Sequence, residues 1–166
     1  MADRVIHDLA LRLGEALVRT GRTLAVAESC TGGGFCAAVT DIPGSSAYFV
    51  GGVVAYRNAS KARDLGVPAS LIESSGAVSE PVAAAMAEGA RARFGADIGV
   101  GITGIAGPGG GTPDKPVGTV CLAISAGEVR RSHRRRFPGD RETVRRETVA
   151  WALAELLSLL AGGRGE

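Results

Sequence analysis

Lysine is nearly missing from this chain. Its 166 residues include 19 basic side chains, of which only Lys61 and Lys115 are lysine. Aromatic residues make up 4%, too few for a platform on which bases stack. Net charge is +2, too small to hold a polyanion by bulk electrostatics, so no nucleic-acid partner is expected. The three cysteines, Cys30, Cys36 and Cys121, are odd in number and lack paired spacing. They form no disulfide framework, and a reducing cytoplasm is their simplest setting. His7 and His133 are the only histidines, so no zinc ligand set is expected either. Long apolar runs are absent. The N-terminal MADRVIHDLALRLGEALVRTG is charged throughout and has no signal-peptide core; the C-terminal apolar stretch is broken by Glu155. No membrane association is expected.

What is present suffices for a core. Hydrophobic residues make up 45% and charged residues 22%, which excludes disorder and fits one globular domain over 1–166, with its core at about 5–160. Residues 3–20 read as a helix stopped by Gly21, with Val5, Leu9, Leu11, Leu13 and Leu17 near one face. Thr23–Ala27 reads as a buried strand, and a helical segment around Phe35–Val39 ends before Pro43. A second strand covers 47–56, where Gly51-Gly52 signals a bulge or a close backbone approach. Short helical pieces follow at Ser60–Leu65 and Ala69–Glu73. Ser79 caps a long alanine-rich helix to about Phe94, with Pro81 in its first turn. Asp97–Ile102 is a third strand, Val117–Ser125 and Val129–Phe137 pair around Ala126-Gly127, and Asp140 caps a last helix to about Leu160. This alternation predicts an α/β fold, a three-layer α/β/α sandwich around a central mixed sheet. Ligands gather at the carboxyl ends of strands in such sheets.

Two glycine-rich loops fall at such ends. The first, Glu28-Ser29-Cys30-Thr31-Gly32-Gly33-Gly34, is neither a Walker loop nor an esterase nucleophile elbow. It is either a nucleophilic hydroxyl beside free amides, as acyl transfer requires, or a tight turn whose Ser29 and Thr31 cap the next helix. A serine nucleophile needs a base. Glu28 is the nearest acid, and neither histidine is well placed. Lys61 is the other choice, because a desolvated lysine can lose its proton where arginine cannot; otherwise it is an exposed residue of a short helix. Cys30 could be the nucleophile itself, or simply a small buried residue. In the second loop, residues 101–111, Thr103 is the one hydroxyl, and the loop is either a phosphate or sugar contact or a flexible lid. Its tail, TPDKP, reads as an exposed turn with Lys115 in solvent. The run Arg130–Arg136 reads as an edge strand guarded by charge rather than as a nucleic-acid patch. The last helix has an apolar stripe of Val149, Leu153, Leu156 and Leu160. Extended backwards, it reaches Arg145 and Arg141, two cations in first turns where the helix dipole disfavours them, so each calls for an anion from the protein or a ligand.

AESCTGGG, DIPGSS, the Tyr56–Lys61 stretch, GAVSEPV, GITGIAGPGGGTPDKPVGTV and FPGDRETVR together closely resemble the CinA C-terminal domain family, which comprises nicotinamide mononucleotide amidohydrolases. The resemblance implies hydrolysis of the carboxamide of nicotinamide mononucleotide to nicotinic acid mononucleotide and ammonia, in NAD salvage. It implies Ser29 as nucleophile and Lys61 as base, with Tyr56 and Thr103 also catalytic and Arg145 touching substrate. The substrate-binding set expected from both lines is Glu28, Cys30, Thr31, Gly32, Gly33, Gly104, Gly107, Arg141 and Arg145, with amides of the Thr31–Gly33 turn facing the oxyanion. A pyridine mononucleotide is the implied partner, no metal or organic cofactor is needed, and a homo-oligomer is expected. The alternatives are a nucleotide-binding module without catalysis, or a companion domain to a nucleotide pyrophosphatase.

Overall fold

A computed structural model describes residues 2–162. The elements run α1 (Ala2–Thr20), β1 (Leu24–Glu28), α2 (Gly34–Thr40), a 3-10 turn at Ser45–Ala47, β2 (Phe49–Val54), α3 (Asn58–Leu65) and α4 (Ala69–Ser75). They continue with α5 (Glu80–Phe94), β3 (Ile98–Gly104), β4 (Thr119–Ala126), β5 (Val129–Arg136) and α6 (Arg141–Gly162). The strands form one sheet in the order β2-β1-β3-β4-β5. β1 is parallel to β2 and to β3, while β3–β4 and β4–β5 are antiparallel. The expected mixed sheet and its three layers are both present.

Both faces of the central strands are covered. On one side Leu13, Leu17, Phe35, Leu153 and Leu156 of α1, α2 and α6 pack on Leu24, Val26, Val100 and Ile124. On the other, Leu65, Ile72, Val82 and Met86 of α3, α4 and α5 pack on Ala25 and Ala27. Such strands read as continuous apolar runs, as β1, β3 and β4 do. The alanine-rich sequence of α5 has its counterpart in β3. A Cβ on Gly99 would stand 2.0 Å from the Ala87 carbonyl oxygen, and one on Gly101 would stand 2.2 Å from that of Ala83. These glycines serve helix–sheet contact rather than a ligand. The signal at Gly51-Gly52 also holds: the β1–β2 register shifts beside Val50, and a Cβ on Gly52 would meet the Cys36 sulfur at 2.4 Å.

The helical stripe of α1 is displaced from the expected one. Ala10, Leu13, Ala16 and Leu17 are buried, with Ile6 and Leu9 against them, whereas Val5 and Leu11 are 58% and 42% exposed. At 100° per residue Leu11 lies nearly opposite Leu13, so the two cannot share a face. β5 is the guarded edge that its arginines suggest, with all eight residues exposed. Its charges are tied down on both faces. Arg130 pairs with Glu88 at 3.3 Å, and the Arg135 guanidinium lies over the rings of Phe137 and Trp151. Asp140 Oδ1 accepts from Thr143 N–H at 2.8 Å and caps α6, as expected.

Candidate active site

The sheet itself places Ser29. Its N–H donates to Ile102 O at 2.9 Å, prolonging the β1–β3 pairing by one residue, and Ala55 N–H donates to Glu28 O at 2.8 Å on the other flank. Ser29 therefore leaves the carboxyl end of β1 from a fixed backbone. Gly32 and Gly33 then turn the chain with φ of 61° and 95°, left-handed values that suit glycine. Glu28 is wholly buried and its carboxylate closes this turn. Oε2 accepts from Gly33 N–H at 3.2 Å and Phe35 N–H at 3.0 Å, and Oε1 accepts from Cys36 N–H at 2.8 Å.

The expectation that Glu28 binds substrate is thus corrected, because its acceptors are committed to the first amides of α2. The oxyanion donors shift for the same reason. Gly33 N–H goes to Glu28, Gly32 N–H to Ser29 O and Gly34 N–H to Thr31 O. Among the described residues, the Cys30 and Thr31 amides of this turn have no acceptor; Cys30 lines the Ser29 pocket, whereas Thr31 borders the cavity beside α2 and α6.

α3 brings Lys61 to the serine. Its side chain is 2% exposed, and Nζ donates at 3.1 Å to each of three oxygens: Ser29 Oγ, Ala55 O and Tyr56 O. No ion pair among the described residues involves it. Burial without a carboxylate disfavours the ammonium and pushes its pKa below the ordinary lysine value. The geometry suits both protonation states. An ammonium has three protons for three acceptors; a neutral amine keeps two on the carbonyls and turns its lone pair to the Ser29 hydroxyl. The contact has the reach and direction that a nucleophile–base pair requires. Lys61 is accordingly not the exposed residue that composition alone allows.

Cys30 lines the same pocket but is poorly suited to act as a thiolate. Burial, reinforced by the Glu28 charge, pushes its thiol up to about 12, so it stays protonated near neutrality. Its side chain is part of the pocket wall.

Ser29, Cys30, Lys61 and Thr103 line a cavity of about 160 Å³. Gly104 at the end of β3, Ala106 of the second loop, Ala77 and Val78 between α4 and α5, and Tyr56 and Asn58 at the start of α3 complete it. Thr103 does not present a free hydroxyl: it is buried, and Oγ1 donates to Ala77 O at 2.8 Å. Tyr56 contributes its carbonyl to Lys61, while its ring is 56% exposed at the rim. Its hydroxyl accepts from Arg141 Nη2 at 2.9 Å, and Arg141 Nη1 donates to Gly107 O at 2.8 Å. Gly107 thus meets Arg141 through its carbonyl and is not itself part of the lining.

Arg145 takes a different course. Its Nη2 donates to Thr31 O at 3.0 Å, and it borders a separate cavity of about 280 Å³ beside α2 and α6. It reaches the nucleophile turn from behind rather than facing the Ser29 pocket. Both arginines thus meet the anion demand of their helix position with backbone carbonyls.

Lys115 is a further correction. It is half-buried rather than solvated, and Nζ donates to Ser75 O at 2.8 Å. Sequence reasoning also missed Asn58, Ala77, Val78 and Ala106. Asn58 had a signal, since it lies three residues before Lys61 on the same helical face. Ala77 and Val78 fall within the GAVSEPV motif, but only the tertiary fold brings that link to the site.

Comparison with known proteins identifies the family. The family model described as CinA C-terminal domain matches residues 6–160. The nicotinamide-nucleotide amidohydrolase PncC of Pseudomonas putida is 54% identical over 154 residues, 93% of this chain and 96% of that protein. A CinA-like protein of Mycolicibacterium vanbaalenii is 57% identical over 144 residues, 86% of this chain but 34% of that longer protein. The chain therefore spans about a third of the length of relatives of that kind. Among solved structures, the competence/damage-inducible protein CihA of Agrobacterium tumefaciens has a TM-score of 0.91 at 42% identity, covering 93% of this chain and 95% of that one. A CinA superfamily protein of Klebsiella pneumoniae has a TM-score of 0.92 at 38% identity, covering 95% and 98%.

Proposed function

Because this chain belongs to the CinA C-terminal domain family, we propose that it is an amidohydrolase that converts nicotinamide mononucleotide and water to nicotinic acid mononucleotide and ammonia through a Ser29–Lys61 pair. The observation that carries the reading is the buried contact of Lys61 Nζ with Ser29 Oγ, 3.1 Å long, in a pocket that Cys30 also lines. The name of the Pseudomonas putida relative supports the substrate.

Neutral Lys61 takes the Ser29 hydroxyl proton as Oγ attacks the carboxamide carbon. The Cys30 and Thr31 amides receive the developing oxyanion, in place of the Thr31–Gly33 set. Lys61 returns the proton to the leaving nitrogen, the C–N bond breaks, and ammonia departs, leaving an ester on Ser29. Water then attacks the ester; Lys61 accepts its proton and gives it to Ser29 Oγ as the carboxylic acid product leaves. Two backbone carbonyls hold the amine through both half-reactions, so it needs no rotation between them.

A cavity of about 160 Å³ suits the pyridine carboxamide and leaves the ribose phosphate at the rim. Arg141 stands there with two of its five guanidinium donors committed, which leaves others for a phosphate. Binding the remote phosphate would position the reacting amide. The same reading makes this one domain sufficient for the reaction. It places the reaction in NAD salvage in the cytoplasm, with a homo-oligomer as the working form.

The test is ammonia release from nicotinamide mononucleotide by the purified protein, beside Ser29→Ala and Cys30→Ala. Ser29→Ala is expected to lose at least about 10⁴-fold in kcat, while Cys30→Ala stays within about tenfold. Binding of the nucleotide without ammonia release would leave a nucleotide-binding module instead.

A further inference from the structure

The second lysine does not line the pocket, but it contacts the chain just before the link that supplies part of the pocket wall. The link between α4 and α5 supplies two wall residues, Ala77 and Val78, and the three carbonyls from Ser75 to Ala77 each accept from a side chain, two of them from distant parts of the chain. Lys115 Nζ donates to Ser75 O at 2.8 Å, Ser79 Oγ to Gly76 O at 2.8 Å, and Thr103 Oγ1 to Ala77 O at 2.8 Å. Three donors thus set three consecutive peptide planes just before Val78. Ser79 belongs to the cap of α5 and Thr103 to the end of β3. Lys115 alone comes from the TPDKP tail of the glycine-rich loop, and it joins that tail to the end of α4.

The site is also matched to an ammonium. Ser75 ends α4, where carbonyls lack helical partners and the dipole favours a cation. Gly76 follows with φ of 81°, and a Cβ there would stand 2.8 Å from Lys115 Nζ. The space under Gly76 takes a compact point donor, and a planar guanidinium has a larger head. This gives a physical reason for a lysine at 115 in a chain that otherwise uses arginine.

We propose that Lys115 is a positioning residue for substrate binding: by holding Ser75 O it sets the Ala77–Val78 wall and fastens the tail of the glycine-rich loop to the end of α4. The proposal rests on the amidohydrolase reading for its kinetic consequence, but not for its structural one. Lys115 touches none of the reacting atoms, so its loss should alter KM more than kcat.

The experiment compares wild type with Lys115→Ala, Lys115→Arg and Thr103→Val, measuring ammonia release, thermal midpoint and amide hydrogen exchange of residues 76–78. Lys115→Ala is expected to raise KM about tenfold with kcat within about threefold, and to speed exchange in the link while the midpoint holds. Lys115→Arg should not restore KM. The Lys115→Ala and Thr103→Val effects on KM should be less than additive, because both release the same link. Unchanged KM and exchange in Lys115→Ala would overturn the proposal, as would full recovery in Lys115→Arg. A parallel fall of kcat and thermal midpoint would reduce Lys115 to a general stabiliser, which also overturns it. If wild type releases no ammonia, the amidohydrolase reading fails, and the exchange data still decide whether Lys115 holds the wall.

Discussion

The two glycine-rich segments at the pocket are held in opposite ways. The turn after β1 is fixed atom by atom: the sheet takes Ser29 N–H, the Glu28 carboxylate takes three amides, and Arg145 takes Thr31 O. The loop after β3 is exposed from residue 108 to 114 and is fastened at its flanks, by Arg141 at Gly107 and by Lys115 at Ser75. Glycine therefore means different things in the two. In the first it permits a left-handed turn under tight restraint; in the second it spans a rim between two cationic fastenings. The contrast suggests a division of labour, with bond-making on the rigid side and recognition on the looser side. Variants on the rigid side should then lower kcat, and those on the looser side should raise KM.

The largest effect expected after removal of the nucleophile is at Lys61. Lys61→Arg keeps a cation that cannot accept a proton, and Lys61→Met keeps most of the volume without an amine. Both should lose about 10³-fold or more in kcat. The pH dependence gives an independent sign. Catalysis needs the neutral amine, so kcat/KM in wild type should rise with pH along a limb whose midpoint lies below the ordinary lysine value. Stability should respond in the same direction. Between the lowered native value and the ordinary unfolded one, the unfolded chain binds more protons, so unfolding free energy rises with pH. The Lys61 contribution is complete above the unfolded value and lost as pH falls through the native one. A rate that falls with pH over this range would remove Lys61 as base.

Glu28 sharpens the comparison from the other side, since its carboxylate holds the rigid turn through three backbone amides. Glu28→Gln retains one good acceptor but turns an NH₂ group toward backbone N–H groups, leaving at least one buried amide unsatisfied. The expected cost is roughly 1–3 kcal/mol in unfolding free energy, read from denaturant titration. A fall in kcat should accompany it, with KM little changed, because the displaced turn carries Ser29 and the Cys30 and Thr31 amides. If Glu28→Gln raised KM alone, the turn would belong to recognition and the contrast would collapse.

What could be read from the sequence divides along the same line. The order and type of the elements were legible because periodicity, Gly21, Ser79 and Asp140 mark them locally. Ser29 and Lys61 were legible as candidates, one from its glycine turn and the other from the rarity of lysine. The misplaced residues share a cause. Glu28 folds back on amides up to eight residues later, Tyr56 serves through its carbonyl, and Lys115 reaches across 40 positions to a backbone oxygen. Main-chain partners have no residue identity, so a sequence motif cannot announce them. Arg141 and Arg145 show the same limit. Helix position signalled that each needed an anion, but both found carbonyl oxygens, and only the fold separates the rim from the rear of the turn.

The smallest of these effects, and the most selective, concerns Arg141. It stands on the recognition side, joins Tyr56 Oη to Gly107 O, and keeps guanidinium donors for a phosphate. Arg141→Met should raise KM for nicotinamide mononucleotide about tenfold and leave kcat within about threefold. The same variant assayed with nicotinamide riboside, which lacks the phosphate, should behave like wild type if charge recognition is the whole of its role. A smaller, equal rise in KM for both substrates would instead assign Arg141 to fastening the loop through Gly107, as Lys115 does at the other end. A loss of kcat with both would move it to the catalytic side, because the rim would then be setting the amide against Ser29 rather than merely holding the nucleotide.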